Sequence, residues 1–410
     1  MTDMSPIVVV GAGLAGVTLA GALRRGGCTR PILLVNREDR APYDRPPLSK
    51  DVLTGARSIA ETELHPDAFY ADHDIRRLDG VSVVAIDAAR RTLGLSTGEA
   101  VEWGDLVLAT GASARDLPPG VVDPAVADRV LRLRDAADVE RLRAACVTAR
   151  SMVIVGAGFI GLEVAASARG LGLAVTVVEP AARPVARGAP PAISEWLCRL
   201  HRARGVDFAF GRLVDRVEPG ETGTRVVLDD GSDLAADVVV VGIGATPNDT
   251  LARAAGLTCD DGIVVDADCR ASHPAIWAIG DVARPLNAFF GHHRRLEHWE
   301  AARRTAETAA AALCGRPVPY SEVPWVWTDQ YDVNLQFVGT FPADATVVTR
   351  GDPDGRAWCA FHLVDEGLVG AILVNSGGQR RSVERLIADA ARPPLADLAD
   401  PAVPLKRLIG

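Results

Sequence analysis

The chain has 410 residues, 48% hydrophobic and 24% charged, with a formal net charge of −9. Length and apolar content predict two or three folded domains of α/β type and exclude a largely disordered chain, while the acidic balance argues against a nucleic-acid-binding protein, which would carry a basic face. No run of about 18 apolar residues occurs, so no membrane span is predicted, and the seven cysteines, in no CxxC or metal-ligand spacing, predict free thiols in a cytoplasmic protein.

The opening apolar run, Ile7 to Val10, reads as a strand rather than a targeting signal because Gly11 interrupts it. It leads into Gly11-Ala12-Gly13-Leu14-Ala15-Gly16 and a helical stretch, Leu14 to Arg25, with a second strand at Ile32 to Val35. In such a strand-turn-helix the first glycine permits a tight turn, the second lets backbone approach a pyrophosphate, and the third lets the helix pack on the strand. The helix start then offers unpaired N–H groups and a positive dipole end. Gly11, Gly13, Leu14, Ala15 and Gly16 are therefore candidate dinucleotide ligands, and the ribose carboxylate of this copy falls on Glu38.

Lys50 stands out next, since the 44 basic residues include lysine only here and at Lys406, as though a compact point charge were wanted. Leu106 to Gly111 reads as a buried strand ending at a glycine turn, and the Pro-rich Leu117 to Gly120 as a link. A second fingerprint follows: strand Met152 to Val155, then Gly156-Ala157-Gly158-Phe159-Ile160-Gly161, a helix over Ile160 to Leu171, and a strand over Val175 to Val178. One such match is weak evidence, but two imply two dinucleotides. Glu179, directly after that strand, can accept both ribose hydroxyls and favours NADH over NADPH; Arg183 and Arg187 could instead serve a phosphate. Val238 to Gly244 closes this unit, and Ile276 to Asp281 is a further apolar run ending at Gly280-Asp281, which suits a carboxylate over a bound ligand. Beyond about Tyr320 aromatic, alternating segments predict a small α+β domain. The simplest division is 1–112 with 245–320, then 113–244 inserted, then 321–410. Arginine clusters at 294, 295, 303 and 304, and at 380, 381 and 385 with Lys406 and Arg407, are candidate patches for an acidic partner.

With these motifs the chain resembles, over essentially its whole length, the FAD- and NADH-dependent ferredoxin reductases of bacterial oxygenase systems. The most specific segment is Pro42-Tyr43-Asp44-Arg45-Pro46-Pro47-Leu48-Ser49-Lys50, joined by Ala109-Thr110-Gly111, Gly156 to Glu163, Ala278 to Asp281, Arg295 to Trp299 and Trp325 to Gln330. The resemblance implies an α/β fold of two Rossmann-like domains arranged as in glutathione reductase, the NAD domain inserted in the FAD domain, plus the small C-terminal domain. It implies FAD on the first fingerprint, with Arg45, Lys50, Val83, Ala109, Thr110, Gly111, Arg132, Gly280, Asp281, Trp299 and Trp327 as further contacts. It implies NADH on the second, with Gly156, Gly158, Phe159, Ile160, Gly161, Glu163, Glu179, Arg187 and Gly244. Lys50 would pair with Glu163 beside the reactive ring, and these two with Trp327 are the candidate catalytic residues. The implied activity is hydride transfer from NADH to FAD, then single electrons to a two-iron two-sulfur ferredoxin feeding a Rieske-type dioxygenase or haem-thiolate monooxygenase. Asn36-Arg37-Glu38 and Glu300 to Arg304 depart from the family pattern. Two other readings keep the same fold: an NADH oxidase or peroxidase, which needs a redox cysteine where Arg45 to Lys50 has none, and a redox sensor resembling apoptosis-inducing factor.

Overall fold

Four consecutive apolar residues, too few for a helix and buried on every side, make Ile7–Val10 the central strand of a five-stranded parallel sheet. The computed structural model describes residues 5–221 and 223–409. The sheet order is Ile276–Ala278, Asp105–Leu108, Ile7–Val10, Ile32–Val35, Ile75–Leu78, and Val8 stands opposite both Leu33 and Leu106. Helix Leu14–Arg25 buries Val17, Leu19, Ala20 and Leu23 in the same core. An antiparallel meander of Val83–Asp87, Thr92–Leu95 and Ala100–Glu102 is inserted before Asp105–Leu108. These elements form one compact unit, made of the residues up to Asp44, Ala60–Ser113 and Thr246–Val326.

A second compact unit comprises Arg45–Ile59, Ala114–Ala245 and the residues from Trp327 onward. Its parallel sheet repeats the plan in the order Val130–Leu131, Val238–Val241, Ser151–Val155, Ala174–Glu179, Val206–Phe210. Helix Phe159–Gly170 follows the central strand, and a meander of Val214–Pro219, Thr224–Leu228 and Asp233–Ala236 precedes Val238–Val241. Strand for strand the two sheets correspond except in the chain position of one edge: Ile276–Ala278 comes last in its sheet, Val130–Leu131 first. The C-terminal segment adds a five-stranded sheet ordered Trp325–Gln330, Val333–Gly339, Gly367–Val374, Trp358–Val364, Thr346–Gly351, and helix Arg380–Ala388 buries Val383, Leu386 and Ile387.

The glycine turns explain how strand and helix approach so closely. Gly11 and Gly156 take φ of +111° and +106°, conformations that L side chains rarely adopt. A Cβ on Gly16 would strike the Gly11 carbonyl oxygen, and one on Gly161 the Gly156 carbonyl oxygen, well inside van der Waals contact. Replacing a helical glycine by alanine ordinarily gains up to about 1 kcal/mol; here the contact reverses the sign. Gly161→Ala is expected to cost about 1–3 kcal/mol, seen as a lower urea midpoint at unchanged slope. A midpoint at or above that of the unaltered protein would mean that the loop gives way freely.

Candidate functional site

Each fingerprint loop is built as a backbone cradle. Gly11 N–H donates to Val35 O (2.9 Å) and Gly156 N–H to Val178 O (2.8 Å), so both turns are hung on the neighbouring strand. Both helices begin at an extended glycine, Gly13 or Gly158, with no side-chain cap, which leaves the first-turn N–H groups without an intrahelical acceptor. A Cβ on either glycine would meet nothing within 4 Å. Open space over a row of outward N–H groups at a positive dipole end fits a pyrophosphate. Ile160, in the first turn of the second helix, is 46% exposed, and Phe159 lies 5.3 Å from Phe337 between ring centroids.

In the first unit Ala109, Thr110 and Gly280 lie against the loop and the start of its helix. Gly280, at φ +70°, packs so that a Cβ would lie 3.0 Å from Ala15 Cβ, and its N–H donates to Thr305 Oγ1 (3.0 Å), holding Asp281 beside the fingerprint helix. Thr110 Oγ1 donates to Asn248 O (2.8 Å), Asn248 Nδ2 to Thr110 O (2.9 Å) and Asn248 N–H to Gly111 O (2.9 Å). Asn248 thus laces the Ala109-Thr110-Gly111 turn, a role the sequence reading misses. Glu38 Oε2 accepts from the Tyr43 hydroxyl (2.7 Å), and Asn36, 8% exposed, ties that loop through Arg40 O and Asp79 (2.9 Å each). Val83 is buried in the core. Trp299 Nε1 donates to Asp44 Oδ1 (2.9 Å). The preceding His298 has its Nδ1 buried without a hydrogen-bond partner, an orphan that fits a site completed by a polar cofactor. Burial pushes its pKa down to about 4 against the opposing pull of Asp281.

In the second unit Glu179 Oε2 accepts from Ala157 N–H (2.8 Å) and Oε1 from Ala181 N–H (2.9 Å), which sets the carboxylate against the glycine loop. Arg183 is consumed bracing its own loop, through Ala186 O, Ala189 O and Ser194 Oγ, while Arg187 is exposed. Arg132 is held by Asp116 (2.5 Å). Gly244, at φ +112°, accepts from Arg115 N–H (2.9 Å). The centre of the unit is Glu163, 3% exposed on helix Phe159–Gly170. Its Oε2 takes the Lys50 ammonium (2.8 Å) and the Ser49 hydroxyl (2.5 Å), and its Oε1 takes the Thr328 hydroxyl (2.6 Å). A buried carboxylate needs such company, and Lys50 is further fixed by Pro46 O (3.1 Å). Trp327 precedes Thr328 on strand Trp325–Gln330. The arginine clusters are largely neutralised locally: Arg295 pairs with Asp261 and Glu297, Arg303 with Glu300 and Glu307, Arg304 with Glu300, Arg380 with Glu384 and Arg385 with Asp389.

Two glycine cradles on duplicated parallel sheets define a two-dinucleotide oxidoreductase, and the comparisons agree. The description "Pyridine nucleotide-disulphide oxidoreductase" matches residues 5–306 and "Reductase C-terminal" matches residues 325–409. The chain belongs to the pyridine nucleotide-disulphide oxidoreductase family, whose members here use FAD and NADH. It is 42% identical over 405 residues to the anthranilate 1,2-dioxygenase system ferredoxin–NAD(+) reductase component of Burkholderia cepacia, covering 98% of this chain and 99% of that one. Among solved structures it is similar to the ferredoxin reductase for the CYP199A2 system from Rhodopseudomonas palustris, at 37% identity and TM-score 0.94, covering 99% of this chain and 100% of that one. It is also similar to the covalent putidaredoxin reductase–putidaredoxin complex, at 35% identity and TM-score 0.93, covering 99% and 98%.

Three histidines, His201, His298 and His362, are each pushed down to about 4, in every case chiefly by burial. Unfolded, each takes up a proton near its ordinary value of about 6.5, so between about pH 6.5 and 4 the unfolded state binds more protons and stability falls as pH falls. Thermal midpoints should therefore be flat above neutrality and drop steeply below about pH 6.5. His201→Gln should make that drop shallower; an identical profile would mean that His201 titrates alike in both states.

Proposed function

We propose that this protein is the reductase component of an oxygenase system, drawing electrons from NADH and delivering them singly to a two-iron two-sulfur ferredoxin. That ferredoxin would feed a Rieske-type dioxygenase or a haem-thiolate monooxygenase in the cytoplasm. The whole-length kinship with ferredoxin reductases supports this. The observation that carries it is the Lys50–Glu163 pair, an ion pair on a buried carboxylate in a chain with no cysteine from Arg45 to Lys50, where an oxidase or peroxidase would need one. Among the described residues no helix is long and apolar enough to cross a membrane.

We assign FAD to the first fingerprint, Gly11 to Gly16, with Glu38, Arg45, Lys50, Val83, Ala109, Thr110, Gly111, Arg132, Gly280, Asp281, Trp299 and Trp327. NADH goes to Gly156 to Gly161, with Glu163, Glu179, Arg187 and Gly244. FAD supplies what side chains lack, a group that takes two electrons together and releases them one at a time. Lys50 stabilises negative charge that develops during reduction, and Glu163 fixes the ammonium so that little reorganisation is needed. Neither acts as an acid or a base. Glu179 holds the ribose diol of NADH, and its charge repels a 2′-phosphate.

The decisive experiment is anaerobic NADH oxidation by the FAD-loaded protein with and without a two-iron two-sulfur ferredoxin, with cytochrome c as terminal acceptor. Ferredoxin-dependent turnover is expected; reduction by NADH with electrons passing only to oxygen would overturn the reading in favour of an oxidase or sensor. Lys50→Met should retain FAD but slow its reduction, and unchanged stopped-flow kinetics would remove the role given to Lys50. Glu179→Ala should weaken NADH binding by about 1.5–3 kcal/mol and narrow the preference over NADPH; an unaltered NADH affinity would reject that contact.

A further inference from the structure

Glu163 terminates a longer hydrogen-bonded chain whose direction is fixed by proton counting. The Thr328 hydroxyl spends its one proton on Glu163 Oε1 (2.6 Å), so its oxygen can only accept, and it accepts from Gln330 Nε2 (3.0 Å). Gln330 Oε1 then has to be an acceptor, and its neighbour is His201 Nε2 at 2.7 Å. The imidazole proton therefore sits on Nε2, and Nδ1 is left to accept from the Tyr331 hydroxyl (3.1 Å). Every donor along Tyr331, His201, Gln330 and Thr328 points toward the carboxylate.

The chain is dry where it matters. Thr328 and His201 are 0% exposed and Gln330 2%. At its outer end the Arg204 guanidinium covers the Tyr331 ring at 4.5 Å and pairs with Asp332 (2.6 Å). In such surroundings each hydrogen bond polarises the next, and the last one, made to a charge, is the strongest. Burial keeps His201 neutral, with a pKa of about 4, so one ring nitrogen donates and the other accepts. The mechanism assigned above uses none of these four residues, and the bonds of Lys50 run to Glu163 and Pro46 O instead.

We infer that Thr328, Gln330, His201 and Tyr331 are positioning residues, an aligned chain of donors that holds the Glu163 carboxylate oriented and so sets how much of the Lys50 charge is available. The inference rests on the reading of Lys50 as the cation that acts on the flavin. Aligned donors meet part of the carboxylate's demand at Oε1. Without them Glu163, still held by Ser49, draws more heavily on the ammonium at Oε2, and less positive field is left over for the cofactor. No bond is made or broken in this role; it is electrostatic preorganisation.

Two measurements test it on the full chain. In the FAD-loaded protein, Thr328→Val, which is isosteric, and His201→Leu should both shift the flavin midpoint potential to more negative values, in the direction of Lys50→Met but by less. Reduction by NADH should slow several-fold while NADH affinity holds. His201→Gln, whose amide can replace the Nε2 donor, should restore the potential of the unaltered protein. If His201→Leu fails to fold, Thr328→Val and His201→Gln decide. Potentials of Thr328→Val and His201→Leu that stay put, or move positive, while Lys50→Met shifts the potential would overturn this inference alone. A Lys50→Met protein at the original potential would overturn the reading of Lys50 and this inference with it. Independently of the cofactor, 15N NMR of the apoprotein at neutral pH should show, among its neutral histidines, an Nε2–H signal that vanishes in His201→Gln. An Nδ1–H tautomer or an imidazolium at that position would also overturn it.

Discussion

A carboxylate buried to 3% exposure is among the most demanding objects that a chain can place in its interior. Glu163 needs a cation and several hydroxyl donors at once, and no single segment supplies them. They come from Ser49 and Lys50, which precede the fingerprint helix by more than a hundred residues, and from Thr328 on strand Trp325–Gln330. This requirement accounts for an otherwise odd feature of the chain's organisation. Arg45–Ile59 belongs to the second compact unit although the residues on both sides of it belong to the first. Removing one partner of such a buried pair typically costs about 3–5 kcal/mol, so the segment that brings Lys50 is tied by electrostatics as much as by packing.

The second organising constraint is steric. In both fingerprints the third glycine of the motif faces the carbonyl of the first at a distance that excludes any side chain, and the first has a left-handed backbone. The middle glycine is different, since nothing in the protein would collide with a side chain there. The first and third glycines thus serve the fold, and the second leaves open space over the helix start. That division, seen identically in two units, is more than an ordinary tight turn requires.

Much of this is legible in the sequence because the signals are local. Ile7–Val10, Leu14–Arg25, Ile32–Val35 and Val238–Val241 lie where apolar runs and glycines put them, and the second helix starts one residue earlier than its pattern suggests, at Phe159. What the sequence does not display is how polar side chains are shared between distant segments. Arg183 reads as a phosphate ligand yet is spent on loop carbonyls, and of the arginines that read as candidate basic patches Arg303, Arg304, Arg380 and Arg385 are paired along their own helices. Asn248, Thr328 and His201 carry no local signal, because their roles arise only when strands far apart in sequence come together. A polar residue inside an aromatic, alternating strand such as Trp325–Gln330 is the one hint, since Thr328 and Gln330 fall on the same face at a spacing of two.

The edge strands bear on how the protein comes into being. On a ribosome the N-terminal part of a chain emerges first and folds as soon as its partners are available. The second parallel sheet has all five strands once Val241 is out. The first lacks its edge until Ala278 follows, together with the Gly280 turn that packs on its own fingerprint helix. The part made first is thus the part finished last, and during synthesis the flank of Asp105–Leu108 stays open while the inserted sheet completes itself. A nascent chain of this design has an interval in which a hydrophobic strand edge is bare, which is when a chaperone or a like edge on a neighbouring chain would find it.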